Sequence, residues 1–131
     1  MSRALYLDSS AIVKLAVAEP ESDALRRYLR RRRPYVSSAL ARAEVARALL
    51  PFGAEAVRRG VEVLGRIDLV RVNDTVLQAA GALLPEELRM LDAIHLATAG
   101  QLGDDLARIV TYDERMTAAA KGIGYKVIAP A

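Results

Sequence analysis

The stretch Ala4-Leu5-Tyr6-Leu7-Asp8-Ser9-Ser10-Ala11-Ile12-Val13 decides how the chain is read. Its first four residues are all apolar. They are too few for a helix, and without polar alternation they suit a strand buried on both faces of a parallel sheet. The run stops at Asp8. Ser9 and Ser10 are helix-capping types, so a helix is expected from Ala11 to about Ala18, ended by Glu19-Pro20. A carboxylate that closes a buried strand needs a cation or a hydrogen-bond donor beside it. The pattern returns near the far end. Ile109-Val110-Thr111-Tyr112 reads as a strand stopped by Asp113, and a helix follows from Glu114 to Lys121 with Gly122 and Gly124 at its end.

Between these two units the chain keeps alternating. A helix is expected over Glu21 to Arg32, with Leu25, Tyr28 and Leu29 buried and the arginines outside. A strand at Tyr35-Val36-Ser37-Ser38 leads to a helix over Ala39 to Leu50, capped by Ser37 or Ser38, and a second helix over Ala54 to Leu64. Leu69-Val70-Arg71-Val72 is a strand, Asn73 caps a helix over Thr75 to Leu84, Pro85 ends it, and Leu91 to Leu102 forms the next. Tyr125-Lys126-Val127-Ile128 is the last strand. Such alternation predicts a single domain over residues 1–131, an α/β three-layer sandwich on a parallel sheet. In open parallel sheets, ligands bind outside the carboxyl ends of the strands, where Asp8 and Asp113 stand.

Composition narrows the chemistry. The 131 residues include no cysteine and one histidine, His95, which removes thiolate metal sites, thiol nucleophiles and most imidazole-based catalysis. The absence of cysteine fits a reducing cytoplasm. No apolar run is long enough to span a membrane, and the segment after Met1-Ser2-Arg3 is too short for a signal-peptide core. Sixteen of the 19 basic residues are arginine, and six of them, Arg26, Arg27, Arg30, Arg31, Arg32 and Arg33, are clustered; without these the net charge of +3 becomes −3. The basic character is therefore local, a candidate footprint for a phosphate backbone or simply a solvated helix face.

Carboxylates must then carry any chemistry. Besides Asp8 and Asp113, Glu44 lies within an Ala-rich helix, where pairing with Arg47 is the simpler reading, and Asp92 lies in the first turn of a helix apolar nearly all round. Four carboxylates meeting at one sheet edge would repel strongly and need protons or cations. An all-oxygen donor set favours Mg²⁺ or Mn²⁺ over zinc. His95, one turn beyond Asp92, is expected to pack against the site or support it rather than bind metal.

At these residues the chain resembles the PIN-domain ribonucleases, and in particular the VapC toxins of toxin–antitoxin pairs. The resemblance rests on Tyr6-Leu7-Asp8-Ser9-Ser10-Ala11-Ile12-Val13-Lys14-Leu15, Glu44, Leu91-Asp92-Ala93-Ile94-His95-Leu96-Ala97-Thr98-Ala99 and Val110-Thr111-Tyr112-Asp113-Glu114-Arg115-Met116. It implies a five-stranded parallel sheet in the order 3-2-1-4-5. It also implies a Mg²⁺ or Mn²⁺ pocket lined by Asp8, Glu44, Asp92 and Asp113, with Ser9 or Thr111 orienting waters or phosphate. Cleavage of structured RNA such as tRNA or rRNA, a homodimer and a cognate antitoxin protein follow from the same resemblance. The stretch from Asp74 to Met90 departs most from the family pattern. Ala46, Leu49, Leu50 and Phe52 are candidates for partner contact or for core.

Two other classes remain in view. A phosphoryl-aspartate enzyme on a similar frame fits poorly, because Asp8 is followed by two serines, Asp68 begins its strand and Ser10 stands where a phosphatase wants a second Asp. A non-catalytic RNA- or protein-binding module would use the Arg26–Arg33 face.

Overall fold

Five parallel strands form one sheet in the order 3-2-1-4-5. The structure, a computed structural model, describes residues 3–131; Met1 and Ser2, which begin the segment read as too short for a signal peptide, lie outside the described residues. The strands are β1 (Ala4–Leu7), β2 (Tyr35–Ser38), β3 (Asp68–Val70), β4 (Leu106–Val110) and β5 (Val127–Ile128). The helices are α1 (Ser9–Ala16), α2 (Ser22–Leu29), α3 (Ala41–Leu49), α4 (Ala54–Leu64), α5 (Asp74–Ala82), α6 (Met90–Gly100) and α7 (Glu114–Ile123).

β1 is buried along its whole length, as its unbroken apolar run requires. Leu5 and Leu7 pack with α1–α4 on one face, while Ala4 and Tyr6 pack with α6 and α7 on the other. Burying a leucine such as Leu7 is worth roughly 2 kcal/mol. α5 lies on α6 through a smaller cluster of Val76, Ala80, Ala93, Ile94 and Ala97. β1 sits between β2 and β4, and the chain winds outward in both directions from it. The crevice therefore opens where Leu7 pairs with Val110, just before Asp8 and Thr111.

Several boundaries move. α1 begins at Ser9 with Asp8 at its N-cap position, and no side chain caps it, which frees both serine hydroxyls for other partners. β4 starts at Leu106 and ends at Val110, so Asp113 is the N-cap of α7 and not the residue after the strand. It accepts hydrogen bonds from the backbone N–H groups of Arg115 and Met116 at 2.8 and 3.1 Å. Asn73 caps α5 as expected, accepting from the Val76 N–H at 2.9 Å, and Gly124 ends α7 in the left-handed region at φ 106°. α2 stops at Leu29, because Arg31 adopts φ 63° and turns the chain toward Pro34. The arginine run is thus split between a helix end and a turn. Leu49 is fully buried in the core, whereas Leu50 and Phe52 are exposed.

Candidate active site

The end of β1 delivers Asp8 into the crevice, 94% buried. Its Oδ2 accepts hydrogen bonds from Ser10 Oγ at 2.9 Å and Thr111 Oγ1 at 2.8 Å. Ser10 ties the two strand ends together, because its Oγ also accepts from the Tyr112 N–H. α3 brings in Glu44, whose partner is not Arg47. Glu44 Oε1 accepts from Ser9 Oγ and from His95 Nε2, both at 2.6 Å. These partners come from α1 and α6, so one carboxylate joins three helices.

His95 is almost fully buried, and its Nδ1 is bonded to the Tyr6 hydroxyl at 2.7 Å. In the neutral ring Tyr6 donates to Nδ1; in the imidazolium both ring nitrogens donate and the Tyr6 oxygen accepts. Both nitrogens are occupied in either form, so His95 supports the site as expected, but through Glu44 rather than Asp92. Its Nε2 also lies 3.7 Å from Asp8 Oδ1. Burial pushes the His95 pKa down, yet the bond to Glu44 and the charges of Asp8, Glu44 and Asp92 outweigh it and hold the pKa above its usual value. Burial pushes Glu44 up, but the His95 hydrogen bond and charge bring it below its usual value. Tyr6 is pushed far up by burial and stays protonated.

Asp92, in the first turn of α6, has no hydrogen bond from another side chain. Burial raises its pKa, and the charges of Asp113 and Asp8 raise it further against the pull of Arg89 and His95. Three carboxylates therefore share one electrostatic field, although among the described residues no three His, Asp or Glu side chains converge as a ready metal cage. The oxygens of Asp92, Asp8 Oδ1, Glu44 Oε2 and Asp113 Oδ2 make no hydrogen bond within the protein. Since no buried side-chain nitrogen or oxygen among the described residues lacks a partner, these oxygens reach solvent. Such a set fits a hard cation that keeps part of its water shell and takes only one or two carboxylates directly.

Beside Asp92 a groove of about 790 Å³ runs between α6 and α7, bordered by Leu84, Pro85, Leu88, Arg89 and Arg115. The end of the stretch from Asp74 to Met90, from Leu84 to Arg89 between α5 and α6, is thus one wall of the approach. Arg89 and Arg115 stand next to Asp92 and Asp113 in sequence space of three and two residues, a placement that helix-start spacing could have flagged. Ser10, two residues from Asp8, was read only as a helix cap, whereas Tyr6 and the role of His95 toward Glu44 had no short-range signal. Arg26, Arg27, Arg30, Arg31 and Arg33 are not brought to this crevice. Arg30–Arg33 precede β2, and the site follows the strand ends.

The PIN-domain family model matches residues 5–122. The chain is 68% identical to Ribonuclease VapC46 of Mycobacterium tuberculosis over 127 residues, covering 97% of this chain and 98% of that protein. It is 39% identical over 130 residues to Ribonuclease VapC35 of the same species, covering 96% of each. Among solved structures, the M. tuberculosis toxin VapC20, described as cleaving the sarcin–ricin loop, matches with a TM-score of 0.77 at 16% identity over 96% of this chain and 99% of that one. A toxin–antitoxin complex from Klebsiella pneumoniae matches with a TM-score of 0.73 at 22% identity, over 97% and 98% of the two chains. Those two likenesses speak for the fold.

Proposed function

The chain belongs to the PIN-domain family, and from that premise we propose that it is an endoribonuclease toxin whose carboxylate crevice hydrolyses RNA phosphodiesters with Mg²⁺ or Mn²⁺ as cofactor. The observation that carries this reading is that Asp8, Asp92 and Asp113 share one electrostatic field beyond the ends of β1 and β4, with Glu44 joined to Asp8 through His95, each carboxylate keeping an oxygen unbonded by the protein. No observation favours a phosphoryl-aspartate enzyme or a purely non-catalytic module.

A divalent cation bound here would supply charge neutralisation and an acidified water as nucleophile. Asp8, Glu44, Asp92 and Asp113 are the residues that would hold it on this reading. Ser10 and Thr111 fix the Asp8 carboxylate so that its free oxygen points to the opening. Ser9 and His95 do the same for Glu44. Arg89 and Arg115 border the groove, where they can hold backbone phosphates in register without reading bases. Hydrolysis adds water across one P–O bond, and the crevice provides both the negative oxygens that polarise the water and the cations that seat the chain.

The partners on this reading are structured RNA such as tRNA or rRNA, a second copy of the chain and a cognate antitoxin. Exposed Leu50 and Phe52 at the α3–α4 corner, and Val61 farther along α4, offer apolar surface for a protein partner. No helix among the described residues is long and apolar enough to cross a membrane, and the reading places the protein in the cytoplasm with its substrate. The test is cleavage of total RNA with Mg²⁺, with EDTA, and by Asp8→Asn. Loss of cleavage in both latter arms, by about 100-fold or more, is expected; cleavage that survives either would overturn the assignment.

A further inference from the structure

All five strands are parallel, so their amino ends share one rim, about 16 Å from the crevice by strand length. Arg3 precedes β1, Arg31, Arg32 and Arg33 precede β2, Lys126 precedes β5, and Arg108 lies in β4; these six line one hollow of about 340 Å³. An adjoining hollow of about 350 Å³ shares Arg31 and Arg33 and adds Arg26, Arg30 and Arg66. Nine cations thus meet on one rim, five from the run that the sequence showed between Arg26 and Arg33 and four, Arg3, Arg66, Arg108 and Lys126, brought in from elsewhere by the fold.

Acids do not neutralise them. Among the described residues, only Arg26 of the nine has a carboxylate within 4.0 Å, that of Asp23. Asp68, Asp104 and Asp105 lie on the same rim and form no such pair. Several of the cations are set in place. Arg3 donates to the carbonyls of Asp104 and Leu106. Arg32 donates to the Tyr28 carbonyl and lies 4.2 Å over its ring, and Arg108 donates to the Tyr28 hydroxyl at 2.8 Å. Arg31 holds φ 63°, a conformation that glycine or asparagine takes at less cost, so its side chain stands there against backbone preference.

We propose that this rim is a second binding surface for the phosphate backbone of RNA, separate from the catalytic crevice. The proposal rests on the ribonuclease reading for the identity of its occupant. Fixed guanidinium groups at the mouth of a hollow suit phosphate oxygens, and they are ordered before the ligand arrives. An acidic protein segment would need apolar anchors beside the charge; the adjoining hollow has them in Leu15, Leu29, Val63 and Ile67, but the first, where six of the cations stand, offers little beyond Leu5, Tyr28 and Ala107, and the RNA backbone is assigned there. A folded RNA held at both edges of the sheet would be selected by its size as well as by the bond cut.

The test measures binding of a fluorescein-labelled RNA hairpin by anisotropy over a NaCl series, in EDTA so that nothing is cleaved. The variant is Arg31→Gln/Arg33→Gln/Lys126→Gln, whose three side chains make no hydrogen bond or ion pair within the described protein. Its log–log salt slope should be shallower by about 2, at roughly 0.7–0.9 per lost phosphate contact, with affinity at least ~10-fold weaker. Arg42→Gln/Arg47→Gln/Arg58→Gln removes equal charge elsewhere and should leave the slope near that of the parent. An unchanged slope in the first variant, or equal loss in both, would overturn the proposal. So would retained RNA binding with lost binding of a poly-glutamate peptide. Failure of the parent to cut any RNA with Mg²⁺ is a separate result that bears on the catalytic reading.

Discussion

Asp92 differs from the other three carboxylates because no protein donor compensates it. Ser10 and Thr111 hold Asp8, Ser9 and His95 hold Glu44, and the start of α7 holds Asp113. Burial and the charges of Asp113 and Asp8 raise the Asp92 pKa, so its ionised form opposes folding at neutral pH when no cation is present. Asp92→Asn should therefore raise the unfolding midpoint in EDTA, by no more than a few degrees because solvent screens a side chain this open, while RNA cleavage is lost. A lower midpoint would show that the carboxylate is compensated after all. The Glu44–His95 pair predicts the opposite kind of pH dependence on its two flanks. His95 binds its proton more tightly when folded, so its contribution is complete below its usual 6.5 and is lost as pH rises through the raised folded value. Glu44 contributes above its usual 4.5 and loses that contribution as pH falls through its lowered folded value. Denaturant unfolding in EDTA should show both contributions intact between pH 4.5 and 6.5, with stability declining above. His95 is the only histidine, so His95→Gln should flatten the decline; a slope unchanged in that variant assigns it elsewhere.

At the scale of elements, the positions of α3 and α4 depend on one missing side chain. A Cβ on Gly60 would stand 2.6 Å from Leu49 Cδ1 and 3.2 Å from Val45 Cγ1, both of them buried. Leu49 is fully enclosed and has little space to retreat, so Gly60→Ala should cost about 1–3 kcal/mol despite the better helix propensity of alanine. Gly81 in α5 has no atom within 4 Å of its Cβ position, and Gly81→Ala should gain about 0.5–1 kcal/mol. Paired thermal melts check the opposite signs. Because α3 carries Glu44, the first variant should also weaken cleavage. The elements that needed only neighbouring residues to be recognised were legible: β1 from its unbroken apolar run, α5 from Asn73, and α7 from Gly124. Glu44 shows where that legibility stops. Local spacing offered Arg47 three residues away, whereas the actual donors are Ser9 and His95, separated from it by 35 and 51 residues. Helical periodicity also carried α2 through the arginines to Arg32, because a left-handed turn at a non-glycine residue leaves no mark in the hydrophobic pattern. β4 began earlier than read because exposed Arg108 interrupts its apolar pattern.

Across the whole molecule, the main acidic and basic clusters lie at opposite ends of the strands. The carboxyl ends gather Asp8, Glu44, Asp92 and Asp113, and the amino ends gather arginines, though the net charge is only +3. Sorting of this kind leaves the acidic edge under-compensated in the folded state but dispersed in the unfolded one. A divalent cation should therefore bind the native state far more tightly and raise its stability by mass action. At 100 times the dissociation constant the gain is about 2.7 kcal/mol, on the order of 10 °C for a domain of this size. Unfolding midpoints measured against MgCl₂ should rise and then continue logarithmically, while NaCl of equal ionic strength gives a smaller change because it only screens. Asp8→Asn and Asp92→Asn should lose most of the Mg²⁺-specific rise. Gln at Arg31, Arg33 and Lys126 should retain it, because those side chains belong to the opposite rim. A Mg²⁺ response no larger than that to NaCl, or one carried equally by the two carboxylate variants, would mean that the acidic edge is not where the cation sits.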